Sequence, residues 1–184
     1  MKFYHIDRLG TLNVGQVLNL QKNIYFEDEL MQKCLKSVIT SYEDGLSHHG
    51  IHYLLNNELS GNNVMPLSNV MDIIFEYERK LNYSDKLSRY QSFYAFDSNG
   101  VRKFIESNNL VKSFFKIYEV ESDYYEKHNM SLISGNTHYN IAAMAKCYWE
   151  DKEDPYNRPI LNEYLLKYPV KIIKEVKLEE INQE

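Results

Sequence analysis

No apolar run in this chain approaches the roughly 18 residues that a membrane-spanning helix needs. Nor does an apolar segment behind a basic start precede the first strand-like pattern, so the chain reads as soluble and cytoplasmic, with no membrane partner. Basic residues are in deficit: 21 Lys and Arg against 26 Asp and Glu leave a net charge of −5. That balance argues against a broad non-specific nucleic-acid surface, although a local basic groove is compatible with it. Only two cysteines occur, Cys34 and Cys147, far apart in apolar, helical surroundings. Two buried thiols are expected rather than a disulfide framework. The phosphate loop GxxxxGK[ST] and the GxGxxG turn are missing, as is the GxSxG nucleophile elbow. There is no internal repeat and no low-complexity segment.

Aromatic residues, by contrast, are plentiful. They make up 14 % of the chain, and 16 tyrosines account for most of the excess. A tyrosine has a large apolar face and a hydroxyl that needs a partner, so many of these rings belong at the edge of the core. With 43 % hydrophobic residues over 184 positions, the chain suits one domain, or one domain with a sizeable insertion.

Local patterns set the order of elements. "KFYHID" (2–7) alternates as a strand, and Gly10 and Gly15 mark turns after it. Residues 27–41 form a helix with Leu30, Met31, Cys34, Leu35 and Val38 on one face. Residues 45–65 are loop-like, with Gly45, Gly50 and Gly61 and a short helix near His52–Asn56. A helix over 67–81 begins beside Pro66. It buries Val70, Met71, Ile74, Phe75 and Tyr77 and leaves Glu76, Glu78, Arg79 and Lys80 to solvent. A strand at 90–96, a helix over 98–108 begun by Ser98, and a strand at 113–120 follow. Residues 121–137 form a polar loop, 139–149 a helix and 150–159 a charged loop. One or two strands over 160–176 have Pro169 at a bend or edge. The domain spans 1–176, and 177–184 is a frayed tail. Strands at both ends with helices between them make an α+β arrangement.

"HHGIH" groups His48, His49 and His52, but in a glycine-containing loop without the HExxH helix pattern, so no metal is expected. Three other residues stand in strand contexts: His5, Tyr94 and Glu163. Each has an ordinary structural reading, respectively a histidine bonded to backbone, a core aromatic, and a strand-end carboxylate in a salt bridge.

Taken in order, their surroundings resemble a known family. "YHID" with "LNVGQVL" behind it, then "SRYQSFYAFDSNGVRKFI", then "NEYLLKYPVKII" resemble the ADP-ribosyltransferase superfamily, in the His–Tyr–Glu branch of the poly(ADP-ribose) polymerases and the small rifampin-modifying transferases. "SRYQSFYAF" is also similar to a motif of an uncharacterised bacterial and phage family related to it. The resemblance implies a split antiparallel or mixed β-sheet core with a helical insertion over about 24–88. It implies NAD as substrate, cleavage of the nicotinamide–ribose bond, and transfer of ADP-ribose to a protein, nucleotide or small-molecule acceptor, in a toxin, defence or other role. NAD hydrolysis, or an inactive module binding NAD or a partner, are the alternatives.

By the same resemblance Glu163, at the mouth of a cleft, stabilises an oxocarbenium ion on the ribose. Asp123 in "VESDYY" is the rival acid. His5 bonds a ribose hydroxyl and Tyr94 stacks on nicotinamide. Ile6 offers backbone N–H and C=O where the polymerases have glycine. Arg8 and Arg89 pair with pyrophosphate, and Ser92 lies in the same cofactor-binding group. Phe104 is the nearest counterpart of the second stacking aromatic.

Overall fold

The alternation at the start of the chain folds as β1 (Phe3–Asp7), with Phe3, Tyr4, Ile6 and Asp7 all buried. This is seen in a computed structural model, which describes residues 1–25, 27, 29–55, 67–108, 110 and 115–181. Strand β2 is Val17–Leu18, β3 Ser92–Ala95, β4 Lys116–Glu121, β5 Tyr125–Asn129, β6 Asn162–Lys167 and β7 Val170–Val176. The helices are α1 (Glu29–Ile39), α2 (His48–Leu55), α3 (Leu67–Asn82), α4 (Ser98–Ser107) and α5 (His138–Trp149).

Two antiparallel sheets result, ordered β1-β4-β7-β2 and β3-β6-β5. Among the described residues one isolated backbone bridge joins them. Tyr4 and Phe96 exchange two backbone hydrogen bonds of 2.8 Å, N–H to carbonyl in each direction. The period of two then assigns each face of the second sheet. Tyr164 and Leu166 of β6 join Phe3, Phe93, Tyr118 and Ile172 in the cluster between the sheets. Leu165 points the other way, into Phe75, Leu132, Tyr148 and Trp149 of the α3–α5 layer. Helix α4 packs Val101 and Ile105 on Tyr4, Ile6 and Ile117 from the far side of the first sheet.

The α+β class and most elements agree with the sequence, and several details do not. Residues 125–129 are an edge strand, not loop. "YEKHN" lacks the apolar alternation of a strand because its inward positions carry Glu126 and His128, which are half-buried and fully buried. Glu76 and Arg79 are buried, not solvated. They pair with each other at 2.9 Å, and Ser88 Oγ donates to Glu76. Tyr77 and Leu30 are 64 % and 70 % exposed, and Cys34 is exposed too. Asp97, not Ser98, caps α4 by accepting the Gly100 N–H at 2.6 Å. The tail is tied down through Ile181: Leu178–Glu180 form a short 3-10 turn, Ile181 is buried, and Arg102 donates to the carbonyls of Leu178 and Ile181. Pro169 lies in the bend between β6 and β7. The expectations for Gly61, Pro66, residues 113–114 and residues 182–184, and for the Met31 side chain, fall outside the described residues. Among the described residues no helix is long and apolar enough to cross a membrane.

Candidate functional site

The candidate site begins where the two sheets part. Continuing the antiparallel step from Tyr4–Phe96 would place Ile6 opposite Tyr94. Instead the Tyr94 carbonyl accepts a 2.7 Å hydrogen bond from Nδ1 of His5. The imidazole thus stands in the gap as a wedge, tilted against Phe93 at a centroid distance of 4.3 Å. Backbone groups two residues apart in a strand point to the same side, so those of Ile6 face this gap as those of Tyr4 face Phe96. Burial holds the His5 pKa below its ordinary value, against the bond to Tyr94 and the nearby Asp7 carboxylate, which raise it. The neutral ring with its hydrogen on Nδ1 leaves Nε2 as an acceptor.

Behind Tyr94 lies a buried charge network centred on Arg89, which is only 3 % exposed. Its Nε donates to Asp72 Oδ1 at 2.9 Å. Nη1 donates to Glu163 Oε1 at 2.6 Å and to the Tyr148 hydroxyl at 2.9 Å. Tyr148 in turn donates to the same Glu163 oxygen at 2.8 Å. The guanidinium lies 4.9 Å from the Tyr94 ring centre, and the Tyr94 hydroxyl returns a 2.8 Å bond to the Arg89 carbonyl. Two carboxylates therefore share one guanidinium. Burial opposes the charge on Arg89, yet Glu163, the phenols and Asp72 outweigh it and hold the guanidinium firmly protonated. Burial likewise works to raise the Asp72 pKa, but Arg89 and His49 bring it below the usual carboxylate value. Both phenols are driven well above their ordinary pKa, first by burial, so they remain donors at any physiological pH.

His49 completes the cluster from α2. Its ring lies 4.2 Å from that of Tyr94 and stacks on Tyr53, also at 4.2 Å with planes 22° apart. Nε2 is enclosed with no hydrogen-bond partner among the described residues and stands 3.7 Å from Asp72 Oδ1, too long for a hydrogen bond. Burial lowers the His49 pKa, with Asp72 working the other way. A pH dependence follows. For His5 and His49 the unfolded chain takes up protons first, so stability is lost as pH falls from about 6.5 through the lower folded values. Urea denaturation at stepped pH is expected to show this loss, and His49→Gln is expected to flatten it.

The three strand residues are thus brought into one neighbourhood: His5 touches Tyr94, and Arg89 links Tyr94 to Glu163. Glu163, however, is 1 % exposed. It lies inside the sheet–helix layer and not at the mouth of a cleft, because its strand parity matches Leu165 and points it at α3 and α5. Arg89 is committed to Asp72 and Glu163 and is unavailable to a pyrophosphate. Ser92 is buried and donates to the Ser88 carbonyl, so its role is structural. Arg8 is exposed just past β1. Asp123 is exposed in the β4–β5 turn, and no hydrogen bond or ion pair among the described residues ties it to the network. Phe104 packs on Phe96 at 4.8 Å in the α4 cluster.

Asp72 and Tyr148 carry no such expectation, and His49 is expected only as one of a loop histidine group. The one sequence signal for Asp72 is a carboxylate inside the apolar face of "VMDIIF". Among the described residues no group of three or more His, Cys, Asp or Glu is placed to hold a metal ion. A separate open cavity of about 780 Å³ lies at the β5 edge, lined by Lys86, Glu126, His128, Asp151, Arg158 and Asn162 among others.

No curated protein matches the chain. Over residues 3–181, which takes in every element of both sheets, the chain matches the family described as "Protein of unknown function (DUF2441)", and it belongs to that family.

Proposed function

We propose that the protein is an ADP-ribosyltransferase that cleaves the nicotinamide–ribose bond of NAD and passes ADP-ribose to an acceptor nucleophile. The observation that carries this reading is the approach of His5, Tyr94 and Glu163, from β1, β3 and β6, around the parting of two sheets. The split sheet suits the α+β frame that the family resemblance implies.

Each group has a matching task. Ile6 turns its backbone N–H and C=O into the gap, where a carboxamide can take both. The half-buried Tyr94 ring offers a stacking surface for a pyridinium. His5 Nε2 accepts from a ribose hydroxyl, and the exposed Arg8 takes a pyrophosphate oxygen. Glu163 Oε1 is held by Arg89 and Tyr148, and Oε2 receives no bond from the described residues. It is the oxygen left to accept from the 2′-hydroxyl. As the C1′–N bond breaks, its electron pair leaves with neutral nicotinamide, and the carboxylate stabilises the positive charge left on the ribose. The acceptor then bonds to C1′ and releases its proton.

The test is nicotinamide release from NAD. Glu163→Gln keeps an oxygen for Arg89 and Tyr148 but removes the charge, and turnover is expected to fall about 10²-fold. Equal turnover in the two proteins would remove Glu163 from the mechanism. Free ADP-ribose, in place of a mass gain on an acceptor, would make the reaction a hydrolysis. The burial of Glu163 within an ion pair favours a second reading, a module that binds NAD without turnover. A rise in melting temperature with NAD but no nicotinamide release would decide for it.

A further inference from the structure

If Tyr94 is a stacking surface for a ligand ring, that surface is already covered. We infer that His49 is an intramolecular occupant of the ring site on Tyr94, and that α2 holds the site shut until a ligand ring displaces the imidazole. The inference rests on the NAD reading above and concerns the regulation of that same site.

The geometry of the stack carries it. The His49 centroid is 4.2 Å from Tyr94, closer than the roughly 4.5–7 Å typical of paired aromatic rings. A pyridinium therefore cannot lie on the face of Tyr94 that this imidazole holds, and the Arg89 guanidinium, 4.9 Å from the ring centre, crowds the ring as well. Tyr53, one helical turn along α2, backs the imidazole at the same distance and nearly parallel. The occupant is also poorly satisfied. Its Nε2 is sealed from solvent, and Asp72 Oδ1, 3.7 Å away, already accepts from Arg89 at 2.9 Å. An enclosed nitrogen without a partner keeps its desolvation cost, so displacing the ring relieves that cost.

Helix α2 is seated so that it can act as one piece. The Ser47 N–H donates to the Tyr90 carbonyl at 2.8 Å, and Ser47 Oγ caps the helix by accepting from Gly50 N–H at 3.0 Å. Gly50 lies flat on that carbonyl, and a Cβ there would stand 2.2 Å from the Tyr90 oxygen. The seat is thus the short turn Arg89–Gln91, which also carries Arg89. Removing the ring, or lifting the helix at Gly50, opens the same surface by two routes.

The experiment titrates NAD by calorimetry into the wild type, His49→Ala, His49→Phe and Gly50→Ala, with nicotinamide release measured alongside. Apparent Kd scales inversely with the open fraction. His49→Ala is expected to bind NAD about tenfold or more tightly than the wild type. Gly50→Ala should change in the same direction, and His49→Phe, which keeps a ring in place, should stay at or above the wild-type Kd. Should His49→Ala prove too unstable to study, Gly50→Ala set against His49→Phe decides the matter alone. NAD bound equally, or more weakly, by His49→Ala overturns the occupant and leaves the NAD reading standing. No binding by any of the four proteins overturns both.

Discussion

Arg89→Met is expected to lower the unfolding free energy by about 3–5 kcal/mol, the range for breaking a buried ion pair from one side. The guanidinium is nearly inaccessible and is the shared partner of Asp72, Glu163 and the Tyr148 hydroxyl. A methionine fills most of its volume, so the loss is electrostatic rather than steric. Two carboxylates remain in the layer between sheet and helices with no cation to face. Removing one of them as well should help. Arg89→Met with Glu163→Gln is expected to be more stable than the sum of the single effects, because the two sites are in contact and do not add.

The pH dependence gives this prediction its sign. In the wild type Asp72 has a pKa below the ordinary carboxylate value despite burial, because Arg89 and His49 favour its charged form. Its contribution to stability is present above the unfolded pKa and is lost as pH falls through the folded one. In Arg89→Met, burial and the facing Glu163 carboxylate raise the folded pKa of Asp72 above the unfolded one. The deficit is then full at neutral pH and shrinks as pH falls and a proton is taken up. Urea melts at pH 7.5 and 5.5 should therefore show the gap between variant and wild type narrowing at the lower pH. A gap that is constant or widens would mean that Arg89 acts through packing alone.

The same network marks the limit of what local sequence reasoning reaches. The α+β class, the helix faces carrying Leu35 and Phe75, and the strand contexts of His5, Tyr94 and Glu163 all follow from periodicity, because burial on one face imposes it. Polar residues that serve a buried network break that rule. Glu76 and Arg79 look like solvated helix charges, since nothing within α3 shows that Ser88 and Tyr42 wait on the other side. β5 resembles a loop for the same reason, its inward positions being polar. Arg89 beside "YQSF" reads as a surface charge free to meet an anion. Its engagement by Asp72 and Glu163 depends on two segments that are 17 and 74 positions away in sequence. The direction of Glu163 was in principle legible, because β6 alternates and Leu165 and Glu163 share parity. Which face the helices cover was not.

Trp149→Ala is expected to cost about 3–5 kcal/mol, the range for truncating a buried tryptophan. The ring is 1 % exposed at the C-terminal end of α5 and packs edge-on against Tyr148, at 4.7 Å, and His128, at 5.2 Å. Its Nε1 donates to the Phe75 carbonyl of α3 at 2.8 Å, so one side chain ties the two helices together over β6. Alanine removes the ring and the bond and leaves a void beside Leu132 and Ile141, which a sheet on one side and two helices on the other cannot close. Trp149→Phe, which retains most of the apolar volume and loses the donor, is expected to cost about 1–1.5 kcal/mol, close to a single hydrogen bond. Since this is the only tryptophan, unfolding of both variants is followed by circular dichroism in urea, with the midpoint shifted and the slope unchanged. Tyr148 gives a second readout. It leans on Trp149 and donates to Glu163 Oε1, so truncating the indole loosens the support of that carboxylate. Any nicotinamide release by the wild type should then fall in Trp149→Ala and be largely kept in Trp149→Phe. An alanine variant within 1 kcal/mol of the wild type would mean that the α3–α5 contact does not depend on this ring.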